Sequence, residues 1–595
     1  MFLRATTRKK DGKVHCYWSV VENQRLKNGR VVQRHVLDLG EINAAQRAAW
    51  CKTIEVFEEG EAKPSSMAIF PEDQPAPPLP CAVVQVCLDR LRLERPRPWG
   101  ACWLAMELWG RLELDAFWAP RLPVSRKGTA WLHVLKTWVA YRWIAPGSEW
   151  RLHRQWFGQS AMRDLLGEDL AVAQPDTLYR CLDKRVAHKP ALFSFLTERW
   201  ASLFGARFDV LLYDLTSTYF ECDPPEGGKR RYGYSRDKRS DCVQAVIALI
   251  VTPEGCPLAY EVMPGNTADN TTLAAFVETI ERQYGQAERI WVRDRGIPTE
   301  EALETLKQRT PPVRYRVGTP KGRLSALESQ FLALPWEEAR PAVHVKLLAQ
   351  SGECYVLAKS DGRVDKERAI RRRRLKRLVK RLRERQAQKL TRDQLLMKLG
   401  AARKEAGSAY GLVDIELPSP EQPRQSQSFR FTLNRAKLRQ VRRREGHYLL
   451  RSNLADASPA TLWQFYIQLT EVEQAFRELK DDLAVRPIYH QKDERIEAHI
   501  FVAFLAYCLQ GTLKAQLKSL ATGLTPRTVL EKLAGIQMVD VHLPTTDGRE
   551  LVLTRYTEPD ADQRLLLAHL KLSLPQQPPP RIIPTRPATA ASMPM

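Results

Sequence analysis

A change of hydrophobic period near residue 208 limits the fold of this chain more than any other feature. From 81 to about 200, apolar residues recur at three- and four-residue intervals, as in GACWLAMELWGRLELDAFW and PALFSFLTERWASLFG. That is the spacing of amphipathic helices, and AVVQVCLDRLRLE at 82–94 reads the same way. Trp103, Trp109 and Trp118 are its large core fillers. From 208 the apolar runs shorten. FDVLLYDLTSTYF reads as a strand, and DCVQAVIALIVTPEGCPLAYEVMPGN as two strands about the turn at Pro253, Glu254 and Gly255. NTTLAAFVETIERQYG is a helix capped by Asp269 or Asn270, AERIWVRDRG a strand, IPTEEALETLKQ a helix opened by Pro298, and VRYRVG a further strand. Three strands followed by alternating helix and strand predict an α/β domain with an antiparallel meander and later crossovers.

The rest of the chain frames that domain. Residues 1–60 read as a small basic β-rich module, with Asn28-Gly29 as its hairpin turn. Its first 47 residues carry ten Lys or Arg against four Asp or Glu, which suits either a DNA backbone or a protected sheet edge. Residues 61–80 hold six prolines and read as a linker, and 81–205 as a helical, DNA-facing domain. The α/β core spans 206–319, and 320–455 reads as a β-rich insertion. That insertion has strands at 341–360, 410–417, 428–433 and 446–452, and a long helix at 366–405. Residues 456–530 are helical, and 531–595 form an extension whose end, from Pro575, is a loose proline-rich tail.

Charge narrows the partner. The 595 residues carry 92 Lys and Arg against 69 Asp and Glu, a net +23, which favours a polyanion. Twelve of those cations fall between 366 and 385 with two Glu, around a stripe of Leu375, Leu378, Val379 and Leu382. Arg371, Arg372, Arg373 and Arg374 head the run as a surface for phosphates, and a solvated brace is the competing reading. A hydrophobic share of 44% excludes wholesale disorder. The eleven cysteines contain no CxxC pair and suggest reduced structural thiols. With no signal peptide and no apolar run of about 20 residues, the expected location is intracellular, with no membrane partner.

Three acidic positions stand out. Asp214 follows VLLY, so an apolar strand is expected to stop at a carboxylate at the sheet edge, with Thr216, Ser217 and Thr218 behind it. Asp294 ends RIWVRD in the same way, followed by Arg295. Carboxylates at the ends of neighbouring strands would lie close together, and a divalent cation is the usual reason to keep them so. Oxygen ligands alone indicate Mg²⁺ or Mn²⁺. The third position is Glu473, in LWQFYIQLTEVEQAFRELKDDL. Tyr466, Glu473 and Lys480 are seven residues apart and are expected on one helix face, joined by Arg477. A routine Glu–Arg pair on an amphipathic helix would look the same.

These blocks together resemble a DDE transposase of the bacterial IS4-like superfamily, in the IS1634-like group, over roughly residues 10–520. YDLTSTYF at 213–220 and WVRDRGIP at 291–298 are similar to the blocks holding the first two aspartates. YIQLTEVEQAFRELK at 466–480 is similar to the signature helix, and RPIYHQKDERIEAHIFVAFLAY at 486–507 to its continuation. The resemblance implies Asp214, Asp294 and Glu473 as catalytic and metal-binding residues, with Tyr466 and Lys480 on DNA. The family's Arg, three residues after the Tyr, is Leu469 here. Arg477 would supply a similar charge. The implied fold is a ribonuclease-H-like core interrupted by a mainly β insertion. The implied reaction is cleavage at the inverted repeats of an insertion sequence and joining of the 3′-hydroxyls to target DNA, with two metal ions and self-association on DNA. A metal-dependent nuclease without strand transfer, or a non-catalytic DNA-binding relic, is the alternative. The location implied is the bacterial cytoplasm, at the nucleoid.

Overall fold

The computed structural model describes residues 2–584 apart from 11–12, 26–30, 43–45, 48–49, 51–84, 185, 207, 209, 226, 268–276, 279–280, 282–289, 294–299, 311, 320, 351, 389, 391, 418–428 and 455–457. The expected Asn28-Gly29 turn, the proline-rich linker at 61–80, the helix cap at Asp269 or Asn270, and Pro298 all lie outside the described residues. The chain divides into two compact units, one of residues 1–6, 17–287 and 470–595, the other of 7–16 and 288–469.

The chain opens with β1 (Phe2–Lys10), β2 (Lys13–Arg25) and β3 (Val31–Gly40), a three-stranded sheet in that order. Val20, Val21, Val36, Leu37 and Leu39 are its buried apolar residues on β2 and β3. After the linker the chain does not enter a helix as its spacing suggests. It forms β4 (Arg92–Pro98), because Pro96 and Pro98 lack the N–H that a helix needs. The longer helices that follow are α1 (Gly100–Arg111), α2 (Trp131–Ile144), α3 (Pro175–Asp183) and α4 (Lys189–Phe204), the last two with proline in the first turn and with shorter helical turns between them. Trp103, Trp109 and Trp118 are buried among them. The meander is β5 (Val210–Phe220), β6 (Val243–Val251) and β7 (Pro257–Pro264), antiparallel throughout. All nine residues of β6 are buried, which is why VQAVIALIV shows no polar alternation.

The second unit holds β8 (Ile290–Arg293), α5 (Glu300–Lys307) and β9 (Arg314–Gly318), a parallel pair joined by a crossover helix. Next come α6 (Lys321–Leu332), β10 (Glu337–Arg340), β11 (Val343–Gln350) and β12 (Glu353–Ser360). The expected helix at 366–405 is two helices, α7 (Asp361–Gln386) and α8 (Arg392–Ala406). Leu378 and Leu382 are buried against Leu395 and Leu399, so the chain breaks to cover a stripe too apolar to leave in water. β13 (Val413–Glu416) pairs with β14 (Arg430–Leu433), and α9 (Arg435–Arg444) leads into β15 (His447–Ser452) and α10 (Pro459–Ile467). The large sheet of this unit is mixed, in the order β10-β11-β12-β15-β9-β8.

The chain returns to the first unit through α11 (Leu469–Arg477) and a π turn, Glu478–Asp482. Then comes α12 (Asp493–Leu520), the one described helix long and apolar enough to cross a membrane, here buried in the unit. After it, α13 (Pro526–Leu533), β16 (Gln537–Pro544), β17 (Arg549–Tyr556), α14 (Ala561–His569) and β18 (Arg581–Pro584) close the chain. The sheet β18-β17-β16-β4 takes one edge strand from before the helical domain and the other from the end of the chain. The proline-rich tail is therefore not wholly loose. Its Arg581–Pro584 stretch pairs with β17 at the edge of the sheet, where proline is tolerated.

Candidate active site and nucleic-acid surface

Asp214 lies inside β5, not at its end. The strand runs on because Thr216, Thr218 and Tyr219 favour the pleated backbone, and every position from Leu212 to Phe220 pairs with β6. Asp214 stands opposite Leu249 and is half-buried, between the buried Tyr213 and Leu215. Thr216, Ser217 and Thr218 are buried as well. A carboxylate in such surroundings is costly unless cations or donors meet it.

Glu473 is exposed on α11, whose buried side carries Val472, Ala475 and Phe476. The helix is pinned by Glu471, which accepts from Lys514 and Lys518 of α12, each at 3.0 Å. Burial pushes the Glu471 carboxyl up, but the two ammonium groups more than offset this and hold it below its ordinary range. The expected single face for Tyr466, Glu473 and Lys480 is divided. Tyr466 lies on α10 in the second unit, stacked on Tyr448 at 5.5 Å. Lys480 falls in the π turn, whose wider period breaks the seven-residue register.

Lys480 is not an idle cation. Its Nζ donates to Oδ1 of Asp237 at 2.8 Å, and Arg486 pairs with the same buried carboxylate. Burial lowers the Lys480 pKa, against the pull of Asp237. Asp237 belongs to the β5–β6 loop, and the neighbouring Arg236 backbone N–H donates to Ser217 Oγ of β5 at 3.2 Å. The π turn after the Glu473 helix and the strand of Asp214 are thus held to one loop within the first unit.

Sequence reasoning from the acidic blocks missed that loop, although its own signal is plain. KRRYGYSRDKR at 229–239 interleaves cations with two tyrosines, the pattern of a nucleic-acid surface. Tyr232 and Tyr234 are 52% and 82% exposed, which is unusual for rings in a loop so firmly anchored. Gly233 between them is required by close approach, since a Cβ there would lie 2.0 Å from the Gly265 carbonyl oxygen. Arg231 and Gln244 exchange backbone bonds at 3.0 and 2.9 Å beside it.

The remaining predicted residues divide. Asp294 and Arg295 lie outside the described residues, directly after β8. Arg477 is exposed and lines an open cleft with Lys514, Lys518 and Arg527. On α7, Arg371 does not face solvent. It is buried against Glu445, a carboxylate from beyond the helix, so it holds the unit together and is unsuited to phosphate. Arg372, Arg373 and Arg374 are exposed. Arg381 pairs with Glu405 of α8 at 2.9 Å. Part of the charge run is therefore a brace, and part is open surface.

A model of the transposase DDE domain matches residues 209–509, and one of the IS1634 family transposase N-terminal domain matches residues 3–56. The chain belongs to the DDE transposase family. The N-terminal match places it in the IS1634 group, among the transposases of insertion sequences. A solved structure, the piggyBac transposase synaptic complex with hairpin DNA, is similar at 9% identity and a TM-score of 0.33, covering 73% of this chain and 79% of that one. No curated protein matches.

Proposed function

We propose that this transposase binds the inverted terminal repeats of its element, cleaves the DNA at the ends and joins the freed 3′-hydroxyls to target DNA, and that Asp214, Asp294 and Glu473 are its catalytic carboxylates. The observation that carries this is the position of Asp214. It is half-buried on β5, and the loop after β5 is tied both to Ser217 of that strand and to the π turn behind the Glu473 helix, so two of the three acidic blocks lie on elements joined within one unit. The meander β5–β7 and the crossover pair β8–β9 fit the ribonuclease-H-like core expected for the family.

A carboxylate-only donor set suits two Mg²⁺ or Mn²⁺ ions, which when bound activate the attacking oxygen and stabilise the leaving one. Cleavage forms a bond from a water oxygen to phosphorus and breaks the P–O3′ bond. Joining forms a bond from the 3′-oxygen to a target phosphorus, and the target's O3′ leaves. Neither step needs a protein nucleophile. The chain's own contribution is positional. Glu471, Lys514 and Lys518 fix the helix of Glu473, and Asp237 with Lys480 fixes the loop beside β5. In the first unit, Tyr232, Tyr234 and the cations of that loop stack on and neutralise DNA, as does the charge of Arg477; in the second unit, Tyr466, Arg372, Arg373 and Arg374 contact it. Double-stranded DNA, as element end and as target, is the substrate, and self-association brings two ends together.

Purified protein given a pre-cleaved end and a plasmid target tests the reading. Joined product in Mg²⁺ or Mn²⁺ supports it. Cutting without joining makes the protein a nuclease, and binding without cutting a relic.

A further inference from the structure

A second group of ligating side chains lies in the first unit. Glu149, the first residue of a short helix capped by Ser148, meets His490 from the segment before α12 and His499 from its second turn. One ligating atom from each lies within 4.8 Å of the others. Oε1 of Glu149 and Nε2 of His490 are 3.0 Å apart, and the His490 and His499 rings stand 5.3 Å apart at 63°. The decisive feature is His499. Its residue is 7% exposed; the Val485 backbone interacts with its ring, and no hydrogen bond of standard geometry meets either ring nitrogen. A buried ring nitrogen that no good partner meets is costly, and a ligand that takes its lone pair removes the cost.

We propose that Glu149, His490 and His499 form a zinc site that fastens the start of α12 to the helical domain. Two imidazoles and one carboxylate are the donor set of an open tetrahedral zinc site, with water in the fourth position. The ion takes the place of the proton now shared by Glu149 and His490 and occupies the lone pair His499 leaves unused. Arg142 is a buried cation beside the group. It donates to the Ala484 carbonyl at 3.1 Å, and its charge opposes any ion bound nearby. That opposition acts alike on any divalent ion, so the ligands select. Mg²⁺ gains little from imidazole and is excluded, whereas Zn²⁺ binds imidazole tightly enough to be held. The site contains none of the carboxylates assigned to DNA cleavage, so it stands or falls independently of the transposase reaction.

The test uses the full-length protein, stripped with chelator and dialysed against Zn²⁺ or Mg²⁺ without DNA. The expected result is about one retained zinc per chain, a higher unfolding temperature with Zn²⁺ and no rise with Mg²⁺, and, with Co²⁺, the strong visible absorption of a tetrahedral site. His490→Ala and His499→Ala should lose the retained metal, the cobalt band and the thermal shift. Should either alanine variant fail to fold, Glu149→Gln, which keeps size and acceptor, must still weaken retention at least tenfold. No retained metal and no thermal shift in the unaltered protein would overturn the proposal. So would retention that is unchanged in the variants, which would assign the metal to thiols elsewhere.

Discussion

Lys480 donates to Asp237 at 2.8 Å, joining the π turn behind Glu473 to the loop that follows the Asp214 strand. This bond turns two separate sequence blocks into one structural unit. It also gives Lys480 a positioning part, holding the loop, beside the DNA contact that the resemblance implies for it.

Removing Asp237 should show this. Asp237→Ala leaves Lys480 and Arg486 facing each other without their common carboxylate, at side-chain exposures of 10% and 23%. Breaking a buried pair from one side costs up to about 3 kcal/mol. Urea unfolding should give that decrease, and DNA cleavage should fall with it. A variant as stable as the parent would mean the pair contributes nothing.

The arginines of α7 should separate by burial. Arg371→Ala leaves the buried Glu445 with only the looser Arg368 pair at 3.6 Å, so it should lower stability and leave the salt dependence of DNA binding unchanged. Changing Arg372, Arg373 and Arg374 together to Ala should weaken binding to end DNA and random DNA equally. It should lower the salt slope by up to about 0.9 for each phosphate no longer neutralised. Affinities at several salt concentrations measure both, and an unchanged slope in the triple variant would make the whole helix a brace.

Tyr234 is the more exposed of the two tyrosines in the β5–β6 loop. Tyr234→Ala should cost about 1–3 kcal/mol of affinity for end DNA with unpaired bases, and less for fully paired duplex, because stacking needs an open base. Equal effects on both would make the ring a general backbone contact.

Acid should loosen the helix of Glu473. Glu471 is held below its ordinary range by Lys514 and Lys518 despite burial. A carboxyl depressed in the folded state stabilises fully above its unfolded pKa, near about 4.3, and that contribution disappears as pH falls through the folded value. Glu471→Gln should therefore lower the unfolding temperature at pH 7, and the gap to the parent should narrow below about pH 4. A gap that widens in acid would reverse the sign.

The sequence carried the meander, the crossover and the helical domain because each rests on local periodicity. β5 through β9 follow patterns of a few residues. What it did not carry depends on distant partners. Pro96 and Pro98 argue against a helix at β4, but its strand partner β16 lies far along the chain. α7 and α8 are separate because Leu378 needs Leu395. Arg371 stands in the sequence as one of four equal arginines, and only Glu445 distinguishes it. Asp214 is legible as a chemical position, but its place inside the strand is not, since the hydroxyl residues after it suit a loop equally well. The tyrosines and cations of KRRYGYSRDKR are visible in the sequence too, but only the fold brings them beside β5.

The central claim is that three carboxylates hold the metal for DNA cleavage. The direct measurement is cleavage and joining of end DNA in Mg²⁺ and Mn²⁺ by Asp214→Asn, Asp294→Asn and Glu473→Gln, alongside binding to the same DNA. Each variant should bind end DNA with near-parental affinity and produce neither cut nor joined product, and Ca²⁺ should not support the parent's reaction. Cleavage at the parental rate by any one of the three would remove that residue from the active site and contradict the account.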